Sequence, residues 1–165
     1  MGPMSNRPFE LSADCRAVLG DDRVALHDRL ADDPRALMDA LRHDPELGAG
    51  LVRCDTLDGL AFWFSPEGDG WSSEPDRSGP LGDAAFGVAW QFEGRHDKEP
   101  HPDDERFPLG ATNRRVIVRG FTILVVDVDD AGLERVRVRR YVDWAGLYGQ
   151  LGLTLNWRVP LPPAI

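Results

Sequence analysis

The sequence has little of what marks several common classes of functional site. Its two cysteines, Cys15 and Cys54, form no C-x-x-C pair and lack zinc-finger spacing, so we predict two reduced thiols. The histidines show no metal-ligand spacing, and we predict no metal site. A glycine-rich phosphate loop, a G-x-S-x-G elbow and a Cys/His pair are also missing, which argues against a phosphate-binding loop and the familiar nucleophilic sites.

The chain also lacks long apolar runs and isolated basic runs. No stretch approaches the roughly 20 apolar residues of a membrane span, and residues 1–5 lack the charged and apolar regions of a signal peptide. The formal net charge is −9, and no Lys/Arg run stands apart from acidic neighbours. We therefore predict a cytoplasmic protein whose partners include neither nucleic acid nor membrane.

What the chain does have is an ordinary globular composition, with 42% hydrophobic and 28% charged residues among 165, which suits a single domain. Capping signals near the N-terminus predict two or three short helices. Ser12 is a candidate N-cap for a helix over residues 9–19, and Asp33, followed by proline, starts another that ends at the Asp-Pro pair 44–45.

Strand signals dominate after residue 50. Residues 51–65 predict a hairpin that turns at Asp58-Gly59. Residues 65–83 are rich in Gly, Pro, Ser and Asp and predict a long loop, a candidate lid, in which Trp71 either packs the loop down or covers a pocket. Long strands are predicted over 84–93 and 114–127 and from residue 134 onward, with a hairpin turn before the last of them.

Helices followed by an antiparallel meander predict an α+β fold in which the N-terminal helices cover one face of a curved sheet. We predict one domain over residues 1–165, with a loose N-terminus at 1–8 and an extended, proline-containing tail at 156–165.

Several short motifs between residues 84 and 153 resemble a known superfamily. They are Gly94-Arg95-His96, the loop end LGATNR at 109–114, RRYVD at 139–143 and QLG at 150–152. Together they resemble the nuclear transport factor 2-like superfamily, and within it the SnoaL-like group of polyketide cyclases, to which limonene epoxide hydrolases are related. The resemblance covers less than half of the chain. It implies a cone-shaped α+β barrel around an apolar cavity, a homodimer and no cofactor.

The resemblance also implies acid–base chemistry by buried carboxylates on a hydrophobic polyketide- or terpenoid-like small molecule. Such a protein is a cyclase, isomerase or hydrolase of secondary metabolism. The family's key acid lies three residues before the aspartate that opens the final turn, here Asp143, and that position holds Arg140. The alternative is therefore a member that has lost its acid and binds a small molecule or a dimeric partner without catalysis.

Four candidate catalytic residues follow from these motifs. Arg95 and Asp97 match an Arg-x-Asp pair of the hydrolases, and His96 titrates in the useful range but points away from both. Arg140 shares a strand face with three valines, which predicts that it is buried and needs a partner. It is either an internal salt bridge to an acid such as Asp97 or an anchor for a ligand carboxylate, phenolate or enolate, and it cannot act as a base.

Four aromatic residues are candidate ligand contacts, namely Trp63, Trp90, Trp144 and Tyr148. They belong either to the core or dimer interface, or to a cavity wall that stacks on a planar ligand. Asp143 is interpreted as a helix cap rather than an acid because it lies where the strand ends.

Overall fold

The structure is a computed structural model that describes residues 11–99 and 110–153. Within these ranges it is an α+β fold in which four helices precede a four-stranded antiparallel sheet of order β1-β2-β3-β4 and a fifth helix follows it. None of the described helices has the length and apolar character needed to cross a membrane. The elements are α1 (Ala13–Leu19), α2 (Asp21–Leu30), α3 (Pro34–His43), α4 (Pro45–Leu60), β1 (Ser65–Pro80), β2 (Ala85–Arg95), β3 (Arg115–Val128), β4 (Glu134–Val142) and α5 (Trp144–Gln150).

The α+β prediction and the first three helices are confirmed. The Ser12 hydroxyl accepts the backbone N–H of Cys15 at 3.2 Å, and the Asp33 carboxylate accepts that of Ala36 at 3.1 Å. Each cap satisfies a backbone donor that the first turn of a helix leaves without an intrahelical acceptor. The predicted loose segment 1–8 and extended tail 156–165 lie outside the described residues.

The hairpin predicted over residues 51–65 is wrong, because most of that stretch belongs to the 16-residue helix α4. Two glycines of α4, Gly48 and Gly50, allow close packing and do not form a turn. A side chain at Gly48 would place its Cβ 2.6 Å from the ring of Phe86, and one at Gly50 would collide with Leu19. The glycines therefore let α4 lie close to the sheet and to α1.

The loop and lid predicted over residues 65–83 are also wrong, because residues 65–80 form β1, which pairs with β2. The pairing register shifts twice, between Pro66 and Trp71 and between Glu74 and Gly79. Glycine and proline are common at such bulges and on edge strands, which explains the loop-like composition. Trp71 packs against the core, as one of its two predicted roles requires.

The predicted strands β2, β3 and β4 are confirmed, and so is the turn between the last two. The Asp129 carboxylate accepts the backbone N–H groups of Leu133 at 2.9 Å and Ala131 at 3.0 Å. The hydrogen bond from Leu133 is the largest cause that holds the pKa of Asp129 below its usual value. On the helix-facing side of β2, fully buried Phe86, Val88 and Phe92 form the centre of the core.

The prediction of two reduced cysteines is wrong in this structure. Cys15 and Cys54 form a disulfide that ties α1 to α4, with their Cα atoms 5.4 Å apart, which is an ordinary separation for such a bond. Disulfides persist mainly in oxidising compartments, so the cytoplasmic localisation stays a prediction.

Candidate active site

A pocket of about 810 Å³ lies where the end of α4, the end of β4 and α5 meet. Its walls include all four aromatic residues that the sequence nominated, together with the exposed ring of Phe62. The other lining residues are Asp55, Thr56, Asp58, Gly59, Leu60, Arg140 and Val142. The pocket is thus mostly apolar, with five aromatic side chains and a few polar groups contributed by α4 and β4.

Trp90 is the most buried of the five aromatic residues in the described pocket lining. It is 2% exposed, and its indole Nε1–H donates to the hydroxyl of the fully buried Thr122 at 2.9 Å. Gly120, its cross-strand partner on β3, has no side chain because one would collide with the indole ring. The ring is therefore fixed by packing below it and by a hydrogen bond at its edge.

Helix α5 supplies a second aromatic wall. The Asp143 carboxylate accepts the backbone N–H of Gly146 at 2.9 Å, so its predicted role as an N-cap is confirmed. The cap starts the helix at Trp144, and four residues later Tyr148 stacks on it, with ring centroids 6.2 Å apart and an interplanar angle of 28°.

Gln150 fixes α5 against the sheet. Because β4 ends at the partner of Gly120, the earlier part of β3 has no strand beside it on that edge. The Gln150 side chain takes the place of a strand residue there: it accepts the N–H of Ile117 at 2.7 Å and donates to its carbonyl at 2.8 Å. The QLG motif therefore has a structural role that positions the α5 wall.

The polar wall of the pocket is an ion pair between Arg140 and Asp55. The guanidinium Nε donates to one carboxylate oxygen at 2.5 Å, and Nη2 donates to the other. The internal salt bridge expected of Arg140 is present, although its acid is Asp55 rather than Asp97. The expected burial is wrong, since the Arg140 side chain is 52% exposed and only Asp55, at 11%, is nearly buried. Hydrogen bonding to Asp55 holds the pKa of Arg140 above its ordinary value, so the guanidinium stays charged.

The other three candidate catalytic residues do not line this pocket. Arg95 pairs with Glu67 at 3.2 Å and donates to the carbonyl of Asn113 at 2.6 Å. Asp97 lies past the end of β2, where its carboxylate accepts the hydroxyl of Ser65 at 2.8 Å. The structure therefore separates the Arg-x-Asp pair from Arg140 and from the aromatic residues.

His96 is fully buried and joins the end of β2 to the segment before β3. Its Nδ1 accepts the backbone N–H of Thr112 at 3.3 Å and lies 3.0 Å from the Thr112 hydroxyl. Burial lowers the pKa of His96, and the charges of Asp97 and Glu99 oppose that shift only in part. A neutral imidazole with an accepting Nδ1 carries its proton on Nε2.

We expect the burial of His96 to make stability depend on pH. In the unfolded chain a histidine titrates near pH ~6.5, whereas the folded pKa is lower. Between these values the unfolded state binds more protons, so the contribution of His96 to stability falls as the pH drops from about 6.5 to the folded pKa and is constant below it. Urea unfolding of wild type and His96→Asn at several pH values should show a smaller loss for the variant. If stability depends on pH in the same way in wild type and in His96→Asn, the burial of His96 is not the cause of the pH dependence.

Sequence reasoning missed Asp55, Asp58 and Phe62, because the stretch that holds them was assigned to a hairpin. Their spacing of three and four residues is the signal that would have placed them along one side of a helix end. Within residues 11–99 and 110–153, no group of three or more His, Cys, Asp or Glu residues is placed to hold a metal ion.

Comparison of the chain with protein-family models, with curated proteins and with solved structures returns no match. The resemblance to the nuclear transport factor 2-like superfamily therefore stays a prediction, and the function of the site has to be argued from its own geometry.

Proposed function

We propose that the protein binds a hydrophobic, ring-containing small molecule in the aromatic pocket and carries out acid–base chemistry on it without a cofactor. One observation carries the proposal: the nearly buried carboxylate of Asp55 lies beside a guanidinium on the wall of a largely apolar, aromatic-rich pocket. Largely apolar pockets with a few convergent polar groups are the usual sites of small-molecule binding. The reaction is a cyclisation, isomerisation or hydrolysis of a polyketide- or terpenoid-like substrate.

In this proposal Asp55 is the base and Arg140 stabilises the charge that develops. Each Asp55 oxygen accepts one hydrogen bond from Arg140 and keeps a lone pair that can accept a proton from a carbon acid or from water. The Nη1 group of Arg140 has no acceptor among the described residues and is available to donate to an oxygen that becomes negative during the reaction.

A second candidate is a non-catalytic binding protein. The observation that favours it is the same ion pair, since both carboxylate oxygens already accept hydrogen bonds from Arg140. A carboxylate in that arrangement also fits a structural role, in which it holds the guanidinium in place and takes up no proton. The cone-shaped closure of the fold and the homodimer, both implied by the family resemblance, stay predictions under either candidate.

Gly59→Leu is expected to block the pocket. Gly59 lines it, and a Cβ built there meets nothing within 4 Å, so the larger side chain enters open space without strain. Binding of the neutral fluorescent probe N-phenyl-1-naphthylamine should weaken at least ~10-fold, or about 1.4 kcal/mol. Stability should not fall, because glycine costs roughly 0.5–1 kcal/mol inside a helix.

The matched control is Gly149→Leu, which adds the same side chain to α5 in open space and outside the pocket lining. It should bind the probe as tightly as wild type does. If Gly59→Leu also binds the probe as tightly as wild type, the probe binds outside this pocket.

Catalysis is tested with a panel of terpenoid epoxides and polyketide-type β-keto esters, whose conversion is followed by mass spectrometry. The Asp55→Asn variant should form no product but should still bind the fluorescent probe. A wild type that binds the probe but converts nothing selects the second candidate.

A further inference from the structure

The polar groups of the pocket carry more negative than positive charge. Two carboxylates, Asp55 and Asp58, and one guanidinium, Arg140, line it. Asp55 and Arg140 neutralise each other. Asp58 is exposed and has neither a hydrogen-bond partner nor an ion pair among the described residues, so it remains as one uncompensated negative charge at the pocket.

The position of Asp58 places that charge next to aromatic surface. It lies one helical turn after Asp55 on α4, and residues three apart in a helix share a face. Phe62, four residues further along the chain, also lines the pocket and is 67% exposed. The carboxylate therefore belongs to a wall that an aromatic ring continues.

The aromatic rings add to the same electrostatic preference. The faces of Trp, Tyr and Phe rings carry partial negative charge and attract ammonium groups within about 6 Å of the ring centre, most strongly for Trp. Three of the five rings that line the pocket belong to tryptophans, one of which is Trp144, stacked with Tyr148. An anionic ligand would instead meet Asp58 and would compete with Asp55 for Arg140, whose guanidinium is the only one that residues 11–99 and 110–153 place in the pocket lining.

We infer that the ligand of this pocket carries a protonated amine or a quaternary ammonium group, held between Asp58 and the aromatic rings, while its apolar rings fill the remaining volume. This inference rests on the proposed function, because it names the charge of the ligand that the same pocket takes. The net charge of −9 acts in the same direction, since it raises the local concentration of cations.

Three naphthalenes of similar size test the inference by isothermal titration calorimetry: 2-naphthylmethyl-trimethylammonium, its neutral carbon isostere 2-neopentylnaphthalene, and naphthalene-2-sulfonate. The cation should bind on the order of tenfold more tightly than the neutral isostere, and the sulfonate most weakly. Asp58→Asn should remove most of that preference. Asp69→Asn, which changes the net charge equally at an exposed position on β1 outside the pocket, should keep it.

The outcomes separate this inference from the proposed function. If the neutral and cationic naphthalenes bind equally well, or if the sulfonate binds best, the pocket stands and the cationic ligand is excluded. A preference for the cation that survives in Asp58→Asn would exclude Asp58 as its partner. If none of the three compounds binds, the small-molecule pocket itself is wrong, and both proposals fall together.

Discussion

Cys15→Ala is expected to lower the free energy of unfolding by about 4 kcal/mol. The Cys15–Cys54 disulfide spans 39 residues, and a cross-link over a loop of that length removes about 13 cal/mol/K of chain entropy from the unfolded state. For a domain of this size the loss corresponds to a fall in Tm of roughly 8–16 °C.

Reductant provides the internal control for this prediction. Dithiothreitol should destabilise wild type by a similar amount in urea unfolding and should leave Cys15→Ala unchanged. Cys54→Ala should lower the free energy of unfolding by as much as Cys15→Ala, because both substitutions remove the same cross-link. The agreement is expected although Cys54 is half-buried and Cys15 is only 3% exposed. Two reactive thiols in the untreated folded protein, with stability indifferent to reductant, would contradict the disulfide.

The parts of the fold that the sequence predicted depend on local chemistry. Ser12, Asp33 and Asp143 were recognised as caps because a cap requires only a side-chain oxygen and a backbone N–H three residues later. Helix α4 was missed because Gly48 and Gly50 have the composition of a turn, and their actual cause, close contact with Phe86 and Leu19, lies in distant parts of the chain.

In the candidate site, too, the sequence predicts what depends on local chemistry and misses what depends on contacts between distant parts of the chain. Alternation along β4 places Arg140 on the same strand face as three valines, but its partner Asp55 is 85 residues away, on a helix that the sequence does not predict. The Arg-x-Asp motif predicts that Arg95 and Asp97 lie on the same side of an extended chain. In the structure β2 ends at Arg95, so Asp97 leaves the sheet and binds Ser65. A motif fixes neighbours along the chain, whereas this site is made by contacts between elements.

Trp90→Ala is expected to be among the most destabilising single substitutions in the chain, at about 3–5 kcal/mol. The indole is 2% exposed and packs in the core against the backbone of β3. The substitution also deprives the buried Thr122 hydroxyl of its donor, and a buried polar group that loses its partner costs about 1–3 kcal/mol. Trp90→Phe, which keeps a ring but not the N–H, should cost less than Trp90→Ala. Urea unfolding with probe-binding measurements gives both stability and pocket integrity.

The decisive test of this packing is a double-mutant cycle with Gly120. Gly120→Ala alone should destabilise the protein by about 1–3 kcal/mol, because the new methyl group collides with the indole ring. In the Trp90→Ala background the obstacle is gone, and the same methyl group should be neutral or stabilising, since glycine weakens a strand interior. If Gly120→Ala lowers the free energy of unfolding equally in the two backgrounds, the Trp90 ring does not pack on β3. The position of this ring in the pocket wall would then be wrong.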